Sequence, residues 1–141
     1  MSQQSEKDNF NLLLNGNFLA GGANWTANSP EKVEFVNGHC GLQLEAEITQ
    51  SVAVNGAGDF EFAVRMKTNR GFACRATLVM LPSKVTKLLN TGGGSPWLRE
   101  AVTFKAPADT TEMKVTLLSD DGTRGEFGSY FDYVSLVPVS S

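Results

Sequence analysis

The sequence predicts an all-β protein: an antiparallel β-sandwich of the jelly-roll kind with about eight or nine strands. Three observations carry this. First, apolar residues recur with a period of two. Leu42, Leu44, Ala46 and Ile48 form one run, Phe60, Phe62, Val64 and Met66 a second, and Met113, Val115 and Leu117 a third. Such alternation suits a sheet with one face in a core and the other in water. Second, turn signals separate the runs: Asn-Gly at 15, 37 and 55, Asn-Arg-Gly at 69, Ala-Pro-Ala-Asp at 106 and Asp-Asp-Gly at 120. Third, no segment carries the stripe of an amphipathic helix.

Taken in order, the first strand is expected at 10–14, where "NLLL" runs into the Asn15-Gly16-Asn17 turn. Strands follow at 33–36, 41–48, 50–54 and 59–67, each a stretch of alternation bounded by turn residues. At 73–81 the segment "ATLVML" is apolar on both parities, as in a central strand covered on both sides. Further strands are expected at 98–105, 112–118 and 129–138. Between them, "PSKVTKLLNTGGGSP" at 82–96 reads as one long irregular loop.

A chain of 141 residues is one domain by size, and 41% hydrophobic residues suffice for a core. The polar residues 1–9 are expected to be a flexible tail, with a single domain over 10–141. A net charge of −3 gives no electrostatic case for nucleic acid or an anionic membrane. No apolar run approaches the roughly 20 residues of a membrane span, so no membrane insertion is expected. The first residues lack the apolar stretch of a secretory signal, which implies a cytoplasmic protein or one exported by a leaderless route. Cys40 and Cys74, far apart, are expected as free thiols.

No catalytic centre is expected. The single histidine, His39, adjoins Cys40, and neighbours on a strand point to opposite faces. "TGGGS" at 91–95 lacks the lysine and the strand-to-helix setting of a phosphate loop. Asp132 is more informative, because in "SYFDYVSLVPV" it shares the parity of Val134 and Leu136. A carboxylate on a core-facing row must be hydrogen-bonded, paired or metal-bound. It either accepts N–H bonds or an arginine at the sheet's end, or it binds calcium with carbonyls from the "NGNF" turn.

"NLLLNGNF" with "GGANW" at the start and "YFDYVSLVPV" at the end resemble the two ends of the jelly-roll carbohydrate-binding modules attached to xylanases and cellulases, within the galactose-binding-like sandwiches. "ITQSVAV", "GDFEFAVRMKT" and "PWLREAVTFKAPADTTEMKVTLL" are similar to the strands between, so the likeness covers about residues 11 to 138. The resemblance implies a non-catalytic, lectin-like module with a poly- or oligosaccharide partner. It also implies first and last strands side by side, with a structural calcium between the opening turn and the last strand. Asp132, Asn15 and Asn17 would be its ligands, although Leu19 and Tyr133 stand where the family usually has acidic residues.

Sugar recognition needs aromatic faces and planar polar groups. The aromatic candidates are Trp25, Trp97 and Tyr130. The polar ones are Gln43, Gln50, Arg65, Lys67 and Arg75, with Arg65 and Arg75 on consecutive strands where they would flank one groove. Gln50 is pointed, because it keeps the parity of Ile48 and Val52 and so marks a bulge or a groove residue. Two rival readings remain: a module that binds protein or a cell surface (toxin-like, tail-associated or an assembly protein), and a hydrolase accessory domain. An exposed edge strand would also allow a homo-oligomer.

Overall fold

Ten strands in two five-stranded antiparallel sheets make up the computed structural model, which describes residues 11–36 and 38–139. The tail expected at 1–9 lies outside the described residues. The strands are β1 (Thr26–Ala27), β2 (Val33–Val36), β3 (His39–Gln43), β4 (Glu47–Ala53), β5 (Gly58–Thr68), β6 (Ala73–Leu81), β7 (Val85–Gly92), β8 (Leu98–Ala106), β9 (Glu112–Asp121) and β10 (Phe127–Pro138). One sheet, here the β9 sheet, runs β1-β4-β9-β6-β7, and the other, the β10 sheet, runs β2-β3-β10-β5-β8. A single 3-10 turn, Pro30–Lys32, leads into β2.

The alternating residues do what their period predicts. From the β10 sheet, Leu42, Phe62, Val64, Met66, Phe131, Val134 and Leu136 point inward; from the β9 sheet, Ile48, Ala76, Leu78, Met80, Met113, Val115 and Leu117 do so. All are fully buried, and each large side chain so placed contributes about 1.5–3 kcal/mol. Cys40 and Cys74 are buried free thiols, one in each sheet.

Four expectations are corrected. The run 41–48 is not one strand. It breaks at residues 44–46, where Glu45 adopts φ 70°, and the chain passes from the β10 sheet to the β9 sheet. Leu42 and Ile48 keep the same parity because both face the shared core, so alternation alone hides the crossing. The loop expected at 82–96 contains β7, which pairs with β6 from Ala73↔Gly92 to Met80↔Val85. β7 is an edge strand with only Leu89 buried, so water-facing Lys, Thr and Asn hide its period. β6 is half-exposed at Thr77 and Val79, so its outer face is not covered.

The fourth concerns the first strand. Residues 11–14 form no regular strand and lie beside β10 by other means. Leu12 N–H donates to the Leu136 carbonyl at 2.8 Å, and Val134 N–H donates to the Gly16 carbonyl at 2.9 Å. Between these, the Asn11 side chain donates to the Val134 carbonyl and accepts from Leu136 N–H. On the other flank, Gln50 accepts from Leu14 N–H at 2.7 Å and donates to the Leu14 carbonyl at 3.0 Å. Side-chain amides therefore replace ladder bonds on both sides of the segment. Gly16 packs so close to β10 that an added Cβ would lie 2.2 Å from the Val134 oxygen.

Candidate functional site

The outer face of the β10 sheet brings together the aromatic side chains Trp97 and Tyr130, His39 and several charged side chains. Tyr130 on β10 stands directly opposite Lys67 on β5 and opposite Gly41 on β3, which in turn faces Glu34 on β2. A Cβ at Gly41 would lie 3.0 Å from Glu34 and 3.1 Å from the Tyr130 ring, so the bare glycine makes room for both. His39, on the same outward parity, meets the Tyr130 ring edge-on at 5.5 Å and the Trp97 ring at 6.5 Å. The three rings border a groove of ≈ 440 Å³ also lined by Glu34, Val36 and Lys67.

Trp97 is set by the segment before β8. Gly93 and Gly94 take φ of 75° and 83°, turning the chain back from β7. Ser95 then pairs with Thr68 at the end of β5: Ser95 N–H donates to Thr68 Oγ1 at 3.0 Å, and Thr68 N–H donates to the Ser95 carbonyl at 3.2 Å. Two residues on, the indole lies beside β5, with the Arg65 guanidinium 5.0 Å from its ring centroid. Lys67 Nζ lies 5.7 Å from the Tyr130 centroid. Both are cation–π distances.

Asp132 completes the face, and it does not lie on the core side. The register of β10 against β5 slips between Phe131 and Tyr133, so Asp132 is the extra residue of a β-bulge. Phe131 and Val134 both stay in the core, while Asp132 turns outward and pairs with Arg65. Parity counting failed because a bulge shifts it by one. Burial of the Asp132 carboxyl outweighs the opposing charges of Arg65 and His39, so its pKa is raised above the ordinary 3.8. Its Oδ1 is buried without a hydrogen-bond partner among the described residues.

The other candidates go elsewhere. Trp25 is 8% exposed, its ring tilted against Phe18 at 5.5 Å, with its indole N–H donating to the Asn15 carbonyl. It is a core residue. Gln50 is not at a bulge, since β4 keeps an unbroken register with β9; its amide is bonded to Leu14, and it lines the hollow on the β9 sheet rather than the aromatic groove. Arg75 sits on the β9 sheet and pairs with Asp120 at 3.1 Å, so it and Arg65 do not flank one groove. Their strands are consecutive, but the connection between them crosses from one sheet to the other. Sequence reading passed over Glu34 and set His39 aside with the question of catalysis. The outward parity of 39, 41 and 43 on one strand was the available signal.

The opening turn does not fit a calcium ion. Asn15 donates to the Gly21 and Ala23 carbonyls and accepts from Ala20 N–H, and Asn17 accepts from Leu19 N–H. The Gly16 carbonyl holds β10, and Asp132 turns to Arg65. Among the described residues no three His, Cys, Asp or Glu side chains cluster as a metal site. A larger hollow of ≈ 590 Å³ lies on the outer face of the β9 sheet, between Thr26, Glu47, Thr49, Ser51 and Lys114. It has no aromatic wall, so it offers no ring for an apolar surface to stack on.

No protein-family model matches the chain, and no curated protein matches it. Solved structures do. The carbohydrate-binding module CBM4 superposes with a TM-score of 0.69 at 13% identity, covering 90% of this chain and 99% of its own. Family 16 Carbohydrate Binding Module-2 gives 0.68 at 19%, covering 90% and 99%. TmCBM61, solved in complex with β-1,4-galactotriose, gives 0.67 at 16%, covering 92% and 99%. At these identities the likeness establishes the jelly-roll fold.

Proposed function

We propose that this chain is a non-catalytic carbohydrate-binding module and that the outer face of the β10 sheet is its binding face. The observation that carries this is the groove in which Trp97, His39 and Tyr130 present three rings beside Glu34, Lys67 and the Arg65–Asp132 pair. Sugar rings offer a C–H-rich face to aromatic side chains and a rim of hydroxyls to charged and planar polar groups. Solved modules of the same fold, one of them holding a galactotriose, support the reading. His39 turns outward while the buried Cys40 turns inward, so no nucleophile–base pair forms there.

The test is a glycan array followed by titration calorimetry, with wild type, Trp97→Ala and Tyr130→Ala. A coherent glycan class should bind wild type. Each variant should weaken binding about threefold to tenfold or more while melting within a few degrees of it. Silence across the array, or unchanged binding by both variants, would refute the assignment.

A further inference from the structure

Two cations lie over the aromatic rings, and they differ in what answers their charge. Arg65 is answered by Asp132, and Arg99, its neighbour across β8, is answered by Glu61 at 3.2 Å. Lys67 is different. Among the described residues its ammonium has no carboxylate within ion-pair distance, and it lies over the Tyr130 ring. The nearest uncommitted carboxylate of the face, Glu34, stands three strands away on β2. The groove therefore holds an unanswered positive charge over the Tyr130 ring, while Glu34 stands on the β2 side, across Gly41 from that ring.

We infer that the preferred ligand is an acidic glycan, with a sugar carboxylate held by Lys67 while the ring bearing it stacks against the Trp97–His39–Tyr130 wall. This rests on the binding face proposed above. A uronic acid suits the arrangement. Its carboxylate projects from the rim of the ring, so the C–H face meets the aromatic wall while the anion reaches the ammonium. A charge-assisted bond of this kind contributes about tenfold or more in affinity. Glu34, on the β2 side, repels a second carboxylate there.

The experiment is calorimetry on galacturonate, glucuronate and mannuronate oligosaccharides, each beside its carboxyl-reduced neutral counterpart, with a sulfated oligosaccharide as a further anion. At least one uronate should bind about tenfold tighter than its neutral counterpart, with a preference that shrinks as salt is raised. In Lys67→Met the ratio of acidic to neutral affinity should fall about tenfold, and Lys67→Arg should restore most of it. Neutral counterparts binding as tightly as the uronates, or a preference untouched in Lys67→Met, would overturn the inference and leave the binding face standing. Tighter binding of the sulfated probe than of every uronate would overturn the choice of carboxylate. Binding of none of the probes, together with a silent array, would overturn both readings.

Discussion

The Arg65 guanidinium lies 5.0 Å from the Trp97 ring centroid and at the same time pairs with Asp132. One side chain on β5 thus joins the segment before β8 to the bulge of β10, three neighbouring strands of one sheet. The aromatic wall and the bulged carboxylate of Asp132 are positioned together rather than separately.

That pairing sets a pH response. Asp132 is raised above 3.8 because desolvation outweighs Arg65 and His39. The native state therefore holds this proton more tightly than the unfolded chain. The group's contribution to stability is fully present below about 3.8 and is lost as pH rises through the higher native value. Arg65→Met removes the largest opposing charge, so the Asp132 carboxyl should titrate higher still. Carbon-13 NMR of the labelled carboxyl reads this directly; a downward shift in the variant would contradict the account. Asp132→Asn should remove the response.

Trp25→Ala should destabilise the protein by about 3–5 kcal/mol, the usual cost of emptying a large buried aromatic site. Trp25→Phe should cost less, chiefly the lost bond to the Asn15 carbonyl, about 1 kcal/mol. Denaturant melts check both. A Trp25→Ala protein as stable as wild type would mean that the indole is not core.

Gln50→Met keeps the volume and removes both bonds to Leu14. Stability should fall by about 1–3 kcal/mol. Hydrogen exchange should show the Leu14 amide losing protection first while β9 amides keep theirs. Equal protection at Leu14 in both proteins would show that the clasp forms without the amide.

The same segment bears on calcium. Its donors are committed to the chain's own N–H groups, so chelator should leave the melting temperature unchanged. Asn15→Ala, which loses three side-chain bonds, should lower it measurably. A chelator-sensitive melt would show that a metal enters this turn.

The thiols should be inert in the folded state. Burial pushes Cys74 up to about 12 and raises Cys40 as well, so thiolate is scarce at neutral pH. A thiol reagent should modify neither cysteine in buffer and both in denaturant. Rapid modification of native protein would contradict their burial.

What the sequence disclosed and what it concealed follow from the same physics. Alternation reports which residues face the core, so Phe60 to Met66 and Met113 to Leu117 were legible as strands. It does not report which sheet they belong to, and Leu42 to Ile48 cross between sheets without breaking step. It fails on an edge, where β7 keeps only Leu89 buried, and at Asp132, where one extra residue inverts the count. Trp97 and Tyr130 stood among the aromatic candidates, and both are half-buried on the outer face. Trp25 has the same chemistry, and only its neighbours Phe18 and Asn15 distinguish it as core. Lys67 stood among the polar candidates of the wet face, but its isolation from carboxylates is a property of the packed sheet.

The β10 bulge has an evolutionary consequence. Without Asp132, Phe131 would point inward, Tyr133 outward opposite Arg65, and Val134 inward opposite Val64, an uninterrupted alternation. The aspartate is thus one extra residue in the pairing of β10 with β5, a ladder that is regular without it. Deleting it should close the β5–β10 ladder and leave Arg65 beside Trp97 without its carboxylate. A single codon lost or gained can therefore rewrite the charge pattern of this face at little cost to folding, which is one way a sandwich of fixed core can acquire new specificities.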